Sequence, residues 1–266
     1  MRLPDPLVRQ DSAEKDPQFA YTLARGLEVL RAFDAESTEL GNREISGRVG
    51  IPRSTVARLT RTLEMLGYLH YDSATSRYRL TTAMLCLAHP VLARLAIRRI
   101  ARPHMQQLAD YAHGSVSLGS RLGLDIVLVS SCIDINSITA RPEIGARWPI
   151  GDTALGVAYL AACGEAQRNV LLNGIAAGGR VDMKSLRPLL RAELDRFSKH
   201  GFCLVRDRAR RGMHAVSAPV RNTDGEIMVL NCTIAAFQLA PDSLENDIGP
   251  RLVNLAHSIE MGLGIG

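Results

Sequence analysis

The stretch VGIPRSTVARLTRTLEMLGYL, Val49–Leu69, decides how the first part of this chain folds. Gly50 suits the C-terminal cap of a short helix, because glycine adopts a left-handed backbone without strain. Pro52 suits the first position of a further helix, where its missing N–H would have no partner in any case. That further helix carries an apolar stripe at helical spacing, made by Val56, Leu59, Leu63 and Leu66. The stretch therefore predicts a helix, a tight turn and a second, amphipathic helix.

Helices and strands are also predicted on both sides of this stretch. Thr22–Phe33 has leucines at i, i+4 and i+7, which predicts an amphipathic helix. Gly41 and Asn42 offer an N-cap for the short helix that follows. Downstream, Tyr68–Tyr71 and Arg77–Leu80 are typical of two strands, and the polar loop between them predicts a β-hairpin. Three helices followed by a hairpin are the parts of a winged helix-turn-helix.

The face of the third helix opposite its apolar stripe carries hydroxyl and guanidinium groups. A guanidinium can bond guanine O6 and N7 in the major groove, and both groups hold phosphates. Arg77 and Arg79 alternate with Tyr78, so both point to one side of the hairpin, towards a minor groove or a phosphate backbone. We therefore predict double-stranded DNA as a partner, bound by Arg53, Ser54, Thr55, Arg58, Arg61, Arg77 and Arg79. The alternative for any single arginine is a solvated surface position.

The charge of the chain is concentrated near this predicted DNA-reading region. The formal net charge is +5 and the pI is about 9.1, which permits a polyanionic partner without requiring one. Between Arg43 and Leu80, seven arginines face only three acidic residues. The distribution therefore supports nucleic-acid binding more than the total charge does.

The rest of the chain predicts a linker and a second domain of mixed strands and helices. Helical spacing runs from Thr82 to about Arg102, with Pro90 expected to kink or interrupt the helix. Strands and helices then alternate, including a helix that begins near Thr153, so the fold class is α+β. The predicted domains are a disordered N-terminal arm at 1–18, a winged helix-turn-helix DNA-binding domain at 19–81, a linker helix at 82–102 and a second domain at 103–266.

Composition limits the class of protein further. With 46% hydrophobic and 22% charged residues, the 266-residue chain has the composition of a globular protein. The stretch before Phe19 contains three prolines and no apolar block of signal-peptide length, so we expect a cytoplasmic protein. Five cysteines, far apart and without a C-x-x-C pair, argue against a disulfide framework or a zinc module. We expect no cofactor and no metal.

The chain resembles the IclR family of bacterial regulators over nearly everything after residue 20. The N-terminal resemblance lies in TLARGLEVLRAF (Thr22–Phe33), VGIPRSTVARLTRTLEMLGYL (Val49–Leu69) and RYRLT (Arg77–Thr81). It continues, in the family's order, in ARPHMQQLAD (Ala101–Asp110), SVSLG (Ser115–Gly119), IGARWPIGDTALGVAYLA (Ile144–Ala161) and HGFCLVRDRARRGMHAVSAPVRN (His200–Asn222). No single motif is decisive, but their order and spacing agree.

The resemblance implies how such a protein works. It implies a GAF-like C-terminal domain that binds a small organic effector, commonly one with a carboxylate. It also implies a homodimer formed through the DNA-binding region, with pairing of dimers into a tetramer as a further option. Two-fold symmetry would require a roughly palindromic operator. Such regulators commonly control neighbouring catabolic operons.

The resemblance also places the effector site. The unpaired N–H groups at the start of the Thr153 helix could hold an anion, and Gly156 would allow close approach of a ligand. By position, Asp207, Ala215, Cys232 and Ile234 match residues that line the family's pocket. Together with the helix start, the predicted effector-binding residues are Trp148, Asp152, Thr153, Ala154, Leu155, Gly156, Asp207, Ala215, Cys232 and Ile234. For Cys232 and Ile234 plain core packing is the alternative.

Two positions depart from the family pattern. Asp152 is expected at the N-cap, where its carboxylate would take the N–H groups that an anionic effector needs. Trp148 stands where leucine is common, so an aromatic ring could floor the site and favour a flat ligand. Arg141 and Arg147 could offset the charge of Asp152, or simply face solvent. The effector is therefore left open between an aromatic and a carboxylate-bearing compound.

Two other functions are the alternatives to a regulator. An enzyme would need Cys203, Asp207 and His214 as nucleophile, orienting acid and base, but no sequence pattern brings them together. The glycines at the C-terminus have no strand before them and no helix after them, so they are not a dinucleotide-binding loop. A ligand-binding protein whose winged helix serves only protein contacts is the third option.

Overall fold

The structure, a computed structural model, describes residues 17–137, 142–179, 181–208 and 211–265. The chain divides into an N-terminal unit that ends at Arg94 and a C-terminal unit that begins at Leu95. Arg141, which was considered as a cation that could offset the charge of Asp152, and most of the predicted N-terminal arm lie outside the described residues. Within these ranges, no helix is long and apolar enough to cross a membrane.

The N-terminal unit is a winged helix-turn-helix, as predicted. Its elements are α1 (Tyr21–Arg31), β1 (Glu39–Leu40), α2 (Asn42–Val49), α3 (Arg53–Met65), β2 (Leu69–Asp72), β3 (Arg77–Leu80) and α4 (Ala83–Arg94). The three strands form an antiparallel sheet in the order β1-β3-β2, so the short β1 joins the predicted hairpin.

Local sequence explains why α2 and α3 begin and end where they do. The Glu44 carboxylate accepts the N–H of Gly41 at 2.8 Å, which satisfies a donor at the start of α2. Gly50 has φ of 67° and closes the helix. Pro52 is the N-cap residue of α3 and not its first helical residue, with φ of −54° and ψ of 140°.

The apolar stripe of α3 is buried only in part. Val56, Leu59 and Leu63 are buried, and the unit's core also includes Val29 of α1 and Tyr78 of β3. The fourth predicted stripe residue, Leu66, is the C-cap of α3 and is 63% exposed. The prediction of burial for Leu66 was therefore wrong.

The C-terminal unit is an α+β domain built on one six-stranded sheet. Its helices are α5 (Ala96–Ala112), α6 (Ala154–Ala162), α7 (Glu165–Gly178), α8 (Met183–His200) and α9 (Gly249–Gly262). Its strands are β4 (Ser115–Leu122), β5 (Asp125–Ile133), β6 (Arg147–Pro149), β7 (Cys203–Arg206), β8 (Met213–Arg221) and β9 (Ile227–Ala235). Antiparallel pairing joins these strands in the order β6-β5-β4-β9-β8-β7.

The two faces of this sheet pack against different helices. Val205 and Val229 belong to the same apolar core as the residues of α6. On the opposite side, the Cys132 thiol lies 3.6 Å from the carbonyl oxygen of Arg102 in α5. We call these sides the α6 face and the α5 face. Side chains alternate between them along each strand, so the register decides which residues can line a site beside α6.

The segment predicted as a linker helix contains two helices. Pro90 lies inside α4, and the break comes at Leu95, between α4 and α5. Three elements, β1, β6 and α7, were not predicted at all.

Candidate functional sites

The exposed face of α3 carries the side chains predicted to read DNA. Arg53, Ser54, Arg58 and Arg61 are exposed, and Thr55 is half-buried. This orientation follows from the stripe, because burying Val56, Leu59 and Leu63 turns the opposite side of the helix outwards. Arg61 lies 3.3 Å from Glu64 one turn later, an exposed pair of small energetic consequence.

A buried threonine that was not predicted as a functional residue joins α3 to α2. Thr60 is fully buried, and its Oγ1 lies 3.0 Å from the carbonyl of Val56 and 3.1 Å from Oδ1 of Asn42. The sequence could have indicated this role, because Thr60 lies among the apolar residues of α3 and a buried hydroxyl needs a hydrogen-bond partner. Thr60 therefore fixes the helix that precedes α3 against it.

The two arginines of β3 differ in their surroundings. The Arg77 guanidinium donates to the carbonyl of Glu39 at 2.8 Å and to the Glu44 carboxylate at 3.1 Å. The pKa of Glu44 is lowered, first by the Gly41 N–H and then by Arg77. Arg79 is exposed, and Tyr78 between the two is buried. Arg77 thus holds β1 and α2 to the hairpin, whatever it does with DNA.

The start of α6 is capped by Thr153. Its backbone is extended, with φ of −137°, and its Oγ1 accepts the N–H of Gly156 at 3.1 Å. The predicted N-cap, Asp152, is instead the last residue of a 3₁₀ turn at Ile150–Asp152, so that prediction was wrong. By helix geometry, the N–H groups of Ala154 and Leu155 have no intrahelical acceptor, and both residues are buried.

Close packing requires glycine at position 156, which could not be predicted from the sequence. A Cβ at this position would overlap the backbone of Ile150, including its carbonyl. Glycine is therefore required by the approach of the 3₁₀ turn to α6, independently of any ligand.

Asp152 forms an ion pair with Arg208, in the loop after β7. Arg208 Nε lies 3.1 Å from Asp152 Oδ1. The residue before it, Asp207, has a left-handed φ of 53°, and its carboxylate accepts the N–H of Gly212 at 2.7 Å. Arg147, the other cation considered for Asp152, pairs with Asp125 instead.

The strand register shows that the strand residues predicted to bind the effector do not all lie on one face of the sheet. Ala215 pairs with Val205 and therefore lies on the α6 face. Val116 pairs with both Cys132 and Cys232, so Cys232 lies on the α5 face, and Ile234, two residues on, lies there too. Both are buried, and burial raises the pKa of the Cys232 thiol to about 12. Their assignment to a site beside α6 was wrong.

The residues of β9 that flank Cys232, namely Asn231 and Thr233, lie on the α6 face instead, together with Ser217, which pairs with Asn231. Ser217 donates to Oδ1 of Asn231 at 2.8 Å, and Asn231 donates to Oγ1 of Thr233 at 2.8 Å. Ser217 and Asn231 are buried. Alternation along a strand puts every second residue of β9 on one face, but it does not say which set faces α6.

Trp148 lies on β6, opposite Ile126 in the register, and packs against the apolar core beside α6. Its indole Nε1 is buried and has no hydrogen-bond partner among the residues that the structure describes. An unpartnered donor of this kind suits a group that arrives from outside the protein.

The residues considered for catalysis do not meet. Cys203 lies on the α6 face, while His214 pairs with Arg206 on the opposite face. Burial also raises the pKa of the Cys203 thiol strongly, which opposes formation of a nucleophilic thiolate. Among the described residues, no three His, Cys, Asp or Glu side chains are grouped to hold a metal ion.

A winged helix whose third helix exposes arginines and hydroxyls defines a DNA-binding protein. Comparison with known proteins identifies its family. Residues 22–73 match the IclR helix-turn-helix domain, and residues 89–260 match the bacterial transcriptional regulator IclR C-terminal domain. The chain belongs to the IclR family of bacterial transcription regulators, and is not an enzyme.

Relatives agree over almost the whole chain. An IclR family transcriptional regulator from Brucella abortus has a crystal structure similar to this one, with a TM-score of 0.88 and 37% identity, covering 98% of this chain and 100% of that one. The Pca regulon regulatory protein of Pseudomonas putida is 28% identical over 93% of this chain and 86% of its own length. The p-hydroxybenzoate hydroxylase transcriptional activator of Acinetobacter baylyi is 25% identical, over 89% of each protein.

Proposed function

We propose that this protein is a cytoplasmic regulator that binds a roughly palindromic operator as a homodimer and responds to a small organic effector of a catabolic operon. The observation that carries the proposal is the exposed face of α3, where Arg53, Ser54, Arg58 and Arg61 stand in a winged helix-turn-helix. Such a helix fits the major groove, where its N-terminal residues meet base edges.

Exposed apolar side chains in the N-terminal unit support dimer formation there. Helix α4 is apolar, yet it contains no buried residue, and a short isolated helix is not stable in water. Its Leu85, Leu87 and Val91 are more than half exposed. In α1, Leu23 is 65% exposed and Leu27 is 46% exposed. A second copy of the unit would cover these side chains and present a second α3 to the next half-site.

The effector site is proposed on the α6 face, beside the start of α6. Thr233 pairs with Ser115 and with Ala215, and Ala215 pairs with Val205, whose strand leads to Asp207. This row combines hydroxyls with a small side chain. The proposed effector contacts are the N–H groups of Ala154 and Leu155, the indole of Trp148, Asp207, Ala215, Ser217, Asn231 and Thr233.

Two features favour an aromatic effector. Trp148 offers a flat ring and an unpartnered indole N–H near the start of α6. Two relatives bear names that refer to the Pca regulon and to p-hydroxybenzoate hydroxylase. A carboxylate-bearing effector remains the other option.

The test of DNA binding uses the full-length protein and overlapping fragments of the DNA upstream of its own gene. We expect one fragment to be shifted, with an affinity that falls steeply with salt, at a log–log slope of several units, because arginines displace counterions from phosphates. A slope near zero would reject this mode of binding. Failure to shift any fragment would favour a winged helix that serves only protein contacts.

The test of effector binding uses Trp148, the only tryptophan of the chain. A compound that alters operator affinity should also shift or quench Trp148 emission, with the same concentration dependence. Trp148→Ala should weaken that compound more than it weakens DNA. Constant emission at a saturating concentration of an operator-active compound would place the effector elsewhere.

A further inference from the structure

The Arg208 guanidinium forms an ion pair with Asp152. Arg208 follows the proposed effector contact Asp207 in the chain. Besides Asp152, the Arg208 guanidinium donates to Oγ of Ser185 at 2.9 Å and to the carbonyl of Gly151 at 3.3 Å. The Arg208 side chain is 15% exposed, and that of Asp152 is 52% exposed. Arg208 is therefore a partly buried cation with three acceptors, of which only Asp152 carries a charge.

Both members of the pair lie within two residues of a proposed effector contact in the chain. Asp152 directly precedes Thr153, the N-cap of α6, and Arg208 directly follows Asp207. The start of α6 carries the positive end of the helix dipole and the N–H groups of Ala154 and Leu155, which have no acceptor within the helix. Without Asp152, this corner would combine a helix N-terminus with a free guanidinium, a combination suited to an organic carboxylate.

Asp152 changes that balance of charge. Its carboxylate takes the position that an effector carboxylate would take on Arg208, and the pair is neutral as a whole. A second carboxylate placed beside it would meet a like charge in a partly desolvated corner, where such repulsion is stronger than in water. An uncharged effector meets no such penalty and can still bond the helix N–H groups.

We propose that Asp152 is a specificity-determining residue that acts as a built-in carboxylate, so that the site selects an uncharged polar effector over its carboxylate counterpart. The inference rests on the proposed function, because it takes the start of α6 to be the effector site. It also defines the role of Arg208, which holds Asp152 in the free protein and becomes available to an anionic ligand only when the Asp152 charge is removed.

The experiment compares two probes of nearly equal shape, 4-hydroxybenzoate and 4-hydroxybenzamide, at neutral pH. Binding to the full-length protein is measured by calorimetry and by Trp148 emission. For wild type, we expect the amide to bind at least as tightly as the acid. Asp152→Asn keeps the size of the side chain and should tighten binding of the acid, relative to the amide, by about tenfold or more. Arg208→Gln should change the ratio in the opposite direction.

Asp195→Asn is the matched control. Asp195 is an exposed acid on α8 that pairs with Lys199 at 2.8 Å, and its substitution changes the net charge by the same amount. This control should leave the acid-to-amide ratio unchanged. Operator binding without any probe should be equal in wild type and Asp152→Asn, which verifies that the variant is folded.

Three outcomes overturn the inference. One is an acid-to-amide ratio in Asp152→Asn equal to that of wild type. Another is an equal change of ratio in Asp195→Asn, which would indicate a general effect of net charge. The third is the binding of neither probe to Asp152→Asn, because the uncovered guanidinium should hold a carboxylate. The proposed effector site itself is judged separately, since it fails only if operator-active compounds leave Trp148 emission unchanged.

Discussion

Arg58 lies at the centre of the exposed face of α3, with Ser54 one turn before it and Arg61 nearly one turn after it. We expect Arg58→Ala to weaken operator binding by about 1–3 kcal/mol, the usual worth of a guanidinium on a base edge. Shift assays measure the affinity, and circular dichroism verifies the fold. Arg191→Ala, an exposed arginine of α8, removes the same charge and should have little effect. Equal operator affinity for Arg58→Ala and wild type would contradict the assignment.

Substitutions of Arg77 and Arg79 should differ in their effect on stability, although both should reduce DNA affinity. Because Arg77 bonds Glu39 and Glu44, Arg77→Ala should lower the free energy of unfolding by about 1 kcal/mol, discounted for its partial exposure, as well as reduce DNA affinity. Arg79→Ala should reduce DNA affinity alone. Urea unfolding followed by circular dichroism, together with shift assays, measures both quantities. The distinction fails if the two variants unfold at the same urea concentration.

At the scale of elements, a buried carboxylate joins α8 to the edge of the sheet. Glu193 is buried, and its carboxylate accepts the N–H of Leu204 in β7 at 2.6 Å, while Arg196 donates to it at 3.3 Å. We expect Glu193→Ala to cost about 1–3 kcal/mol, because a buried N–H loses its acceptor. Glu193→Gln keeps an acceptor for Leu204 and should cost much less. The comparison is made by urea unfolding at neutral pH.

The same carboxylate gives a pH dependence with a defined sign. Burial raises the pKa of Glu193 above its ordinary value, so the folded state binds this proton more tightly than the unfolded state does. Wild type should therefore gain stability relative to Glu193→Gln as the pH falls from neutral through the raised pKa, and the gain should level off below the ordinary pKa of glutamate. A gap between the two proteins that stays constant with pH would contradict a buried, titrating Glu193.

The helix-turn-helix could be predicted from sequence because glycine, proline and the apolar spacing of α3 all act locally. The proposed effector site could not be predicted in the same way, because its residues depend on long-range strand register. The sequence places Cys232 and Ile234 on one face of β9, but only the pairing with β4 and the thiol contact of Cys132 with α5 decide that this face points away from α6. Asp152 was misplaced because a 3₁₀ turn shifts the cap by one residue. Helix α7 was missed, since its amphipathic pattern is weak.

At the scale of the whole molecule, the arginines of α3 act together only if two N-terminal units are held at the spacing of two half-sites. One α3 covers a single stretch of major groove, and affinity for a palindrome requires a second at a fixed distance. The exposed apolar side chains of α1 and α4 can supply that association and leave the charged face of α3 free for DNA. Dimer formation and DNA binding are therefore expected to fail together.

This coupling leads to a prediction for the paired substitution Leu87→Glu and Val91→Glu. Both side chains are more than half exposed and lie one turn apart on α4, which contains no buried residue, so the protomer should stay folded. Charges on this face should oppose association, lowering the mass measured by light scattering and weakening operator binding by about tenfold or more. The matched control is Val170→Glu with Met261→Glu, two exposed apolar positions of the C-terminal unit. That control should keep the wild-type operator affinity. If the α4 variant kept both the wild-type mass and the wild-type operator affinity, the two copies would have to associate through another surface, and the exposed residues of α4 would need a different partner.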